Sequence, residues 1–64
     1  MKNNIKNLRK EKGLRQEDLA EILGVSRQTI IAIENDKYDP SLELALKISI
    51  YFAMTVNDIF KVEE

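Results

Sequence analysis

Residues 16–34 read QEDLAEILGVSRQTIIAIE, and the spacing of their apolar side chains predicts two short helices joined by a tight turn. Ala20 offers the small side chain that two closely crossing helices need. Gly24 suits the left-handed conformation that ends a helix and reverses the chain, because glycine adopts it without steric cost. Ser26 is the expected N-cap of the second helix. The stretch therefore predicts a rigid corner from which the second helix projects.

The second helix of this corner has two faces. Ile30 and Ile33 are expected to pack back onto Leu19 and Leu23 of the first helix. The remaining face stays available to a ligand. Two short helices joined by such a turn form a helix-turn-helix, and in this motif the second helix enters the major groove of DNA. The residues expected to contact base edges are Arg27, Gln28, Thr29, Ile31 and Ala32.

The chemistry of these side chains suits base recognition. Arg27 can donate a fork to guanine O6 and N7, and Gln28 can pair with adenine N6 and N7, each contact being worth roughly 1–3 kcal/mol of discrimination. In isolation both would be ordinary solvated residues at a helix start, but within this corner base recognition is favoured. Ile31 fits either contact with a thymine methyl or partial burial, and Ala32 permits close approach.

A longer segment, LRKEKGLRQEDLAEILGVSRQTIIAIENDKYDPSLELALKIS, resembles the Cro and lambda-repressor-like family of helix-turn-helix regulators. The resemblance runs from about residue 5 to residue 60 and includes ENDKYDPSLE after the corner and the ending TVNDIF. It implies an all-α, five-helix, lambda-repressor-like DNA-binding domain over residues 1–64, with the helix-turn-helix formed by helices 2 and 3. It also implies binding of double-stranded operator DNA, usually as a homodimer.

The resemblance implies further contacts on both sides of the second helix. Gln16 matches a glutamine that binds a DNA phosphate in the family, and the free amides of a helix start favour an anion there. Arg15 stands where many relatives have Thr or Ser, so the usual cap is missing and a phosphate contact is expected to replace it. The other residues expected to contact phosphates are Ser26, Asn35 and Lys37. Relatives often pair a helix 1 arginine with the glutamate that ends helix 3, so Arg9 and Glu34 are expected to form a structural ion pair.

Local signals outside the corner predict the other helices. The first helix is expected over residues 2–12, followed by Gly13 as its C-terminal cap, and a loop is expected over residues 35–40. Ser41 is the expected N-cap of a fourth helix over residues 42–52. Thr55 and Asp58 resemble a capping box at the start of a short fifth helix, in which Val56, Ile59 and Phe60 should close the core.

The fourth helix is more apolar than one buried face requires. Its expected core face consists of Leu42, Ala45, Ile48 and Phe52. Leu44, Leu46, Ile50 and Tyr51 then lack an obvious partner within the chain, although Leu44 and Leu46 could pack under the ends of helices 1 and 5. The surface expected to form a two-fold dimer interface consists of Leu46, Ile50, Tyr51 and Met54.

Composition limits the other possible functions. Sixty-four residues make one domain, and the absence of Cys and His removes disulfides, the usual zinc ligands and the commonest general base. The sequence also has no glycine-rich phosphate loop, so we expect no enzymatic activity, cofactor or metal site. The net charge of −1 divides into +2 over residues 1–37 and −3 over residues 38–64, which places the excess positive charge in the half that holds the corner.

Two functions from different classes remain. The first is a transcriptional repressor that binds an inverted-repeat operator, and the second is a protein-interaction module, such as an antitoxin or adaptor, with a protein partner. The polar face of the second helix favours the first. The polar, charged beginning MKNNIKNLRKEKG shows no secretory signal, and the most apolar tract is too short to span a bilayer, so a cytoplasmic location without membrane contact is expected.

Overall fold

Five helices and one short pair of strands make up the fold of the described residues. The computed structural model describes residues 1–62 of the chain. Its elements are β1 (Lys2–Asn3), α1 (Ile5–Glu11), α2 (Gln16–Leu23), α3 (Arg27–Glu34), α4 (Leu42–Phe52), α5 (Val56–Ile59) and β2 (Phe60–Lys61). The predicted five-helix architecture is confirmed. β1 and β2 add one antiparallel pairing, with Lys2 opposite Lys61 and Asn3 opposite Phe60. Within the described part of the chain, every helix falls short of the length and apolarity that crossing a bilayer requires.

The first helix begins later than predicted, because asparagine side chains bind backbone groups at its start. Asn3 Oδ1 accepts a hydrogen bond from the Ile5 N–H at 3.1 Å, and Asn3 Nδ2 donates to the Ile33 carbonyl at 2.9 Å. Asparagine competes with the helical backbone in this way and therefore favours helix ends. The expected helix over residues 2–12 is thus wrong at its N-terminus, where Asn3 instead links the start of α1 to the end of α3.

The corner between α2 and α3 has the predicted geometry. Gly24 has φ 72° and ψ 32°, and its N–H donates to the Glu21 carbonyl. The Val25 N–H donates to the Ala20 carbonyl at 3.0 Å, which completes the usual two-bond closure of a helix C-terminus. Ser26 Oγ accepts from the Thr29 N–H at 3.1 Å and caps α3. Both ends of the turn are therefore fixed by hydrogen bonds.

One hydrophobic core joins all five helices. Its largest fully buried side chains come from every helix, and they are Ile5, Leu19, Ile30, Ile33, Ile48 and Ile59. Phe60 is buried as expected, but it lies in β2 and not in the fifth helix. Because α3 contributes two isoleucines to this shared core, its inner face is packed against the other helices.

Helix α4 is rotated relative to the predicted core face. Leu42 was expected in the core but is 74% exposed, whereas Leu44 is buried together with Ala45 and Ile48. At about 100° per residue, Leu42 lies roughly 105° from the centre of the buried face. The exposed residues Leu42, Leu46 and Ile50 instead follow each other at four-residue intervals, and we call them the apolar stripe.

A nearly buried ion pair fixes α3 to the beginning of the chain. Arg9 Nε donates to Glu34 Oε2 at 2.7 Å and Arg9 Nη2 donates to Glu34 Oε1 at 3.1 Å, while the two side chains are only 8% and 2% exposed. Arg9 Nη1 also donates to the Leu14 carbonyl at 2.8 Å. The hydrogen bonds to Glu34 raise the pKa of the Arg9 guanidinium above its ordinary value. This pair therefore joins α1, the α1–α2 connection and the end of α3.

Within residues 1–62, four helices end in the same hydrogen-bonded closure with a left-handed residue. The left-handed positions are Gly13, Gly24, Asp36 and Ala53, with φ values of 69°, 72°, 58° and 54°. After α4, the N–H groups of Ala53 and Met54 donate to the carbonyls of Ile50 and Ser49. Ala53 carries a Cβ in a conformation that costs L-residues free energy, so this end of α4 is strained.

Replacing Ala53 with glycine removes this strain. We expect Ala53→Gly to raise the free energy of unfolding by about 0.5–1 kcal/mol, measured by urea denaturation. The control is Ala32→Gly inside α3, which should lower it by a similar amount because glycine disfavours the helical interior. Equal destabilisation by both substitutions would contradict the left-handed conformation of residue 53.

Removing one member of the buried ion pair should strongly destabilise the fold. We expect Arg9→Met to lower the free energy of unfolding by roughly 3–5 kcal/mol, because Glu34 would remain buried without its partner. The double variant Arg9→Met/Glu34→Leu should recover most of this loss, since it leaves no unpaired charge. Lys10→Met, at an exposed position of the same helix, is the control and should change stability by no more than about 0.5 kcal/mol. A single variant as stable as the control would refute the structural importance of the pair.

Candidate nucleic-acid interface

The first turn of α3 presents two polar side chains to solvent. Arg27 and Gln28 are both exposed, and within residues 1–62 neither side chain makes a hydrogen bond or ion pair. At about 100° per residue, Gln28 lies nearly opposite the buried Ile30 and Ile33. Its amide is thus available to an external ligand at the most outward point of the helix.

The other predicted base-contacting residues are less accessible. Ile31 and Ala32 are half-buried on the same side of α3. Thr29 is also half-buried, and its hydroxyl lies 2.9 Å from the Ser26 hydroxyl, where either oxygen can donate. Ser26, which was expected to contact a phosphate, uses the same oxygen to cap α3. The Ser26 and Thr29 hydroxyls therefore already have partners within the protein.

A surface recess of about 320 Å³ lies between the start of α2 and the start of α3. Three arginines, one amide and one acid line it, namely Arg9, Arg15, Gln16, Glu17 and Arg27. We call it the arginine recess. Gln16 Nε2 donates to Glu34 Oε1 at 3.2 Å, so the buried ion pair also orients this amide. The structure thus brings Arg27, which was predicted to contact a base, beside the predicted phosphate ligands Arg15 and Gln16.

Arg15 is engaged by two carboxylates. Its Nη1 lies 2.8 Å from Glu17 Oε1, and its Nη2 lies 3.1 Å from Asp18 Oδ1. Asp18 Oδ2 accepts from the Arg15 side chain at 3.2 Å and from the Arg15 backbone N–H at 2.8 Å. These hydrogen bonds from Arg15 lower the pKa of the Asp18 carboxyl and raise that of the Arg15 guanidinium. The N-cap residue Arg15 makes no side-chain cap, as expected, but Asp18 supplies the reciprocal bond of a capping box, because its carboxylate reaches back to the N–H of the residue before the helix.

The segment after α3 carries the remaining predicted phosphate ligands. Asn35 and Lys37 are both exposed. Asp36 lies between them in the left-handed conformation, and its carboxylate lies 3.4 Å from Asn3 Nδ2 and 3.7 Å from Lys2 Nζ. Asn3 was not among the predicted site residues, although consecutive asparagines before an apolar periodic segment are a helix-start signal.

The predicted dimer residues divide into exposed and half-buried pairs. Leu46 and Ile50 are 47% and 79% exposed, whereas Tyr51 and Met54 pack partly against the core. The Tyr51 ring makes an edge contact with Phe52 at a centroid distance of 5.1 Å. The exposed pair belongs to the apolar stripe, and the half-buried pair contributes less surface to any partner.

Ile22 of α2 extends this apolar surface beyond α4. It is 47% exposed and helps to line an open recess of about 250 Å³ with Leu23, Lys47, Ile50 and Tyr51. Ile22 was not among the predicted interface residues. Helical periodicity does not separate it from the core, because Leu19, Ile22 and Leu23 follow the i, i+3, i+4 spacing of one apolar face.

Several curated proteins are similar to this chain over its length. An uncharacterized HTH-type transcriptional regulator of Methanocaldococcus jannaschii is 59% identical over 64 residues, covering 100% of this chain and 97% of its own length. The uncharacterized HTH-type transcriptional regulator YgzD of Bacillus subtilis is 53% identical with the same coverage of both chains. The ImmF control region 10 kDa protein of Bacillus phage phi105 is 42% identical over 53 residues, covering 83% of this chain and 59% of its own.

Two solved structures share the fold. A transcriptional regulator from Listeria innocua superposes with a TM-score of 0.82 at 23% identity, covering 100% of this chain and 64% of its own. A hypothetical transcription factor from Neisseria superposes with a TM-score of 0.77 at 25% identity, covering 86% of this chain and 62% of its own. The chain therefore spans less than two thirds of either solved chain.

The family assignment rests on the sequence matches together with this fold. A family model described as helix-turn-helix matches residues 5–59, which include all five helices. The curated relatives named above match over most or all of the same residues. The chain belongs to the helix-turn-helix family of Cro and lambda-repressor-like transcriptional regulators, whose members are non-enzymatic DNA-binding proteins.

Proposed function

We propose that this chain is a sequence-specific DNA-binding transcriptional repressor, which binds an inverted-repeat operator as a homodimer. The observation that carries the proposal is the free polar tip of α3, where Arg27 and Gln28 are exposed and unpaired within residues 1–62. Such a tip fits the major groove, where guanine edges accept hydrogen bonds from arginine and adenine edges pair with glutamine. A relative named for a phage control region supports a regulatory role.

Base recognition requires that α3 keeps one orientation while its tip lies in the groove. The Arg9–Glu34 ion pair holds the C-terminal end of α3, and the Ser26 cap holds its N-terminal end. Gln28 then reads adenine through its amide, while Ile31 and Ala32 contact the groove further along the helix. Because Arg27 lines the arginine recess, its guanidinium can reach a backbone phosphate as well as a guanine.

Phosphate contacts on both sides of α3 fix the protein on the duplex. Gln16 and Arg15 bind the backbone at the arginine recess, and Asn35 and Lys37 bind it beyond the other end of α3. These contacts set register and orientation without reading sequence. The Gln16 amide is suited to this role because the Glu34 carboxylate already holds one of its N–H groups, leaving the second for a phosphate oxygen.

The homodimer forms through the apolar stripe of α4 together with Ile22. An exposed apolar surface of this kind is typical of a protein interface, and a second copy would cover the same surface on both subunits. The longest dimension of the domain is 31 Å, which suits two recognition helices about one DNA turn, or roughly 34–36 Å, apart. Occupation of a promoter by this dimer would block transcription.

Substitutions in the two classes of DNA contact should behave differently. After selection of bound sites from a random DNA pool, Gln28→Ala should cost about 1–3 kcal/mol on the selected operator and relax the preference at its adenine. Lys37→Ala should weaken binding to all sequences alike and reduce the salt slope by about 0.9, because one phosphate contact is lost. Gel shifts at two salt concentrations measure both effects. Uniform weakening by Gln28→Ala would argue against base recognition by this residue.

A charge placed in the apolar stripe should prevent dimer formation. We expect Ile50→Lys to shift the protein to a monomer in sedimentation equilibrium and to weaken operator binding. Val62→Lys is the matched control, because Val62 is 78% exposed and Ile50 is 79% exposed, but Val62 lies outside α4. Unchanged self-association of Ile50→Lys would remove this surface from the dimer. If the wild type is itself monomeric on DNA, the stripe would instead fit a protein partner.

A further inference from the structure

We propose that Glu17 is a tethered competitor of DNA phosphate, which lowers the affinity of the protein for duplex DNA. The inference rests on the proposed function and concerns the arginine recess. Glu17 lines this recess, and its carboxylate Oε1 lies 2.8 Å from Arg15 Nη1. A carboxylate thus occupies the guanidinium atom that a phosphate oxygen would otherwise bind.

The charges around the recess are already balanced within the protein. Arg9 forms an ion pair with Glu34, and Arg15 forms ion pairs with both Glu17 and Asp18. Arg27 is the only guanidinium lining the recess that has no carboxylate partner within residues 1–62. A phosphate that enters must therefore displace Glu17 from Arg15 or accept a like charge beside it.

Glu17 is the replaceable member of this cluster, whereas Asp18 is part of the fold. Asp18 accepts the Arg15 backbone N–H and closes the start of α2. Among the described residues, Arg15 is the only hydrogen-bond or ion-pair partner of the Glu17 side chain, which is 56% exposed. Its carboxylate can therefore turn away from Arg15 without disturbing the helix, and its removal leaves the cap of α2 intact.

Competition of this kind has a characteristic salt dependence. When Arg15 neutralises a phosphate, the DNA releases about 0.9 of a cation, and this release produces the salt slope of binding. The Glu17 carboxylate set free at the same moment stays beside the DNA and partly offsets this neutralisation. The wild type should therefore show a shallower salt slope than a variant that lacks the Glu17 charge.

The test measures binding to a mixed-sequence duplex of about 20 base pairs by fluorescence anisotropy between about 50 and 200 mM salt. We expect Glu17→Gln to bind about three- to tenfold more tightly at the lower salt concentration and with a steeper slope. In an Arg15→Gln background, Glu17→Gln should have a clearly smaller effect, because the ion pair is already absent. Glu11→Gln is the control: it changes net charge equally at an exposed position on α1 that does not line the recess.

The outcomes separate this inference from the function on which it rests. If neither the wild type nor Glu17→Gln binds duplex DNA at the lower salt concentration, the proposed function fails and this inference fails with it. If the wild type binds and Glu17→Gln binds no more tightly, only the competition is overturned. Equal tightening by Glu11→Gln, or an undiminished effect in the Arg15→Gln background, would also overturn it, because bulk charge would then suffice.

Discussion

The hydrogen-bonded ion pair between Arg9 and Glu34 is the constraint on which the arrangement of α3 depends. Two nearly buried charges require a specific geometry, whereas apolar side chains tolerate several. The pair also contacts the Leu14 carbonyl and the Gln16 amide, so four parts of the chain meet at one carboxylate and one guanidinium. The direction of the helix that carries Arg27 and Gln28 is thereby set by residues far from its exposed tip.

The same ion pair connects the fold to the electrostatics of the surface. Glu34 neutralises Arg9, and Glu17 and Asp18 neutralise Arg15, so a recess lined by three arginines has little excess charge. This balance agrees with the net charge of −1 for the whole chain. A protein with such a surface relies on directed contacts more than on general attraction to phosphates, which favours discrimination between DNA sequences over non-specific binding.

The apolar stripe is exposed because the domain is small. A chain of 64 residues buries a limited core, and the exposed side chains of Leu42, Leu46 and Ile50 represent apolar surface that this core cannot cover. Self-association would bury it and would also place two recognition helices on one duplex. Stability and operator recognition would then depend on the same surface.

The sequence by itself determined the elements whose signals are local. Gly24 fixed the end of α2, and Ser26 and Ser41 fixed the starts of α3 and α4, because a left-handed residue or a capping hydroxyl acts on the backbone beside it. Only the tertiary structure decided the features that depend on distant partners. It placed Asn3 against α3, turned Leu42 outward and engaged Arg15 with acids, since the free energy of each arrangement depends on neighbours that helical periodicity does not specify.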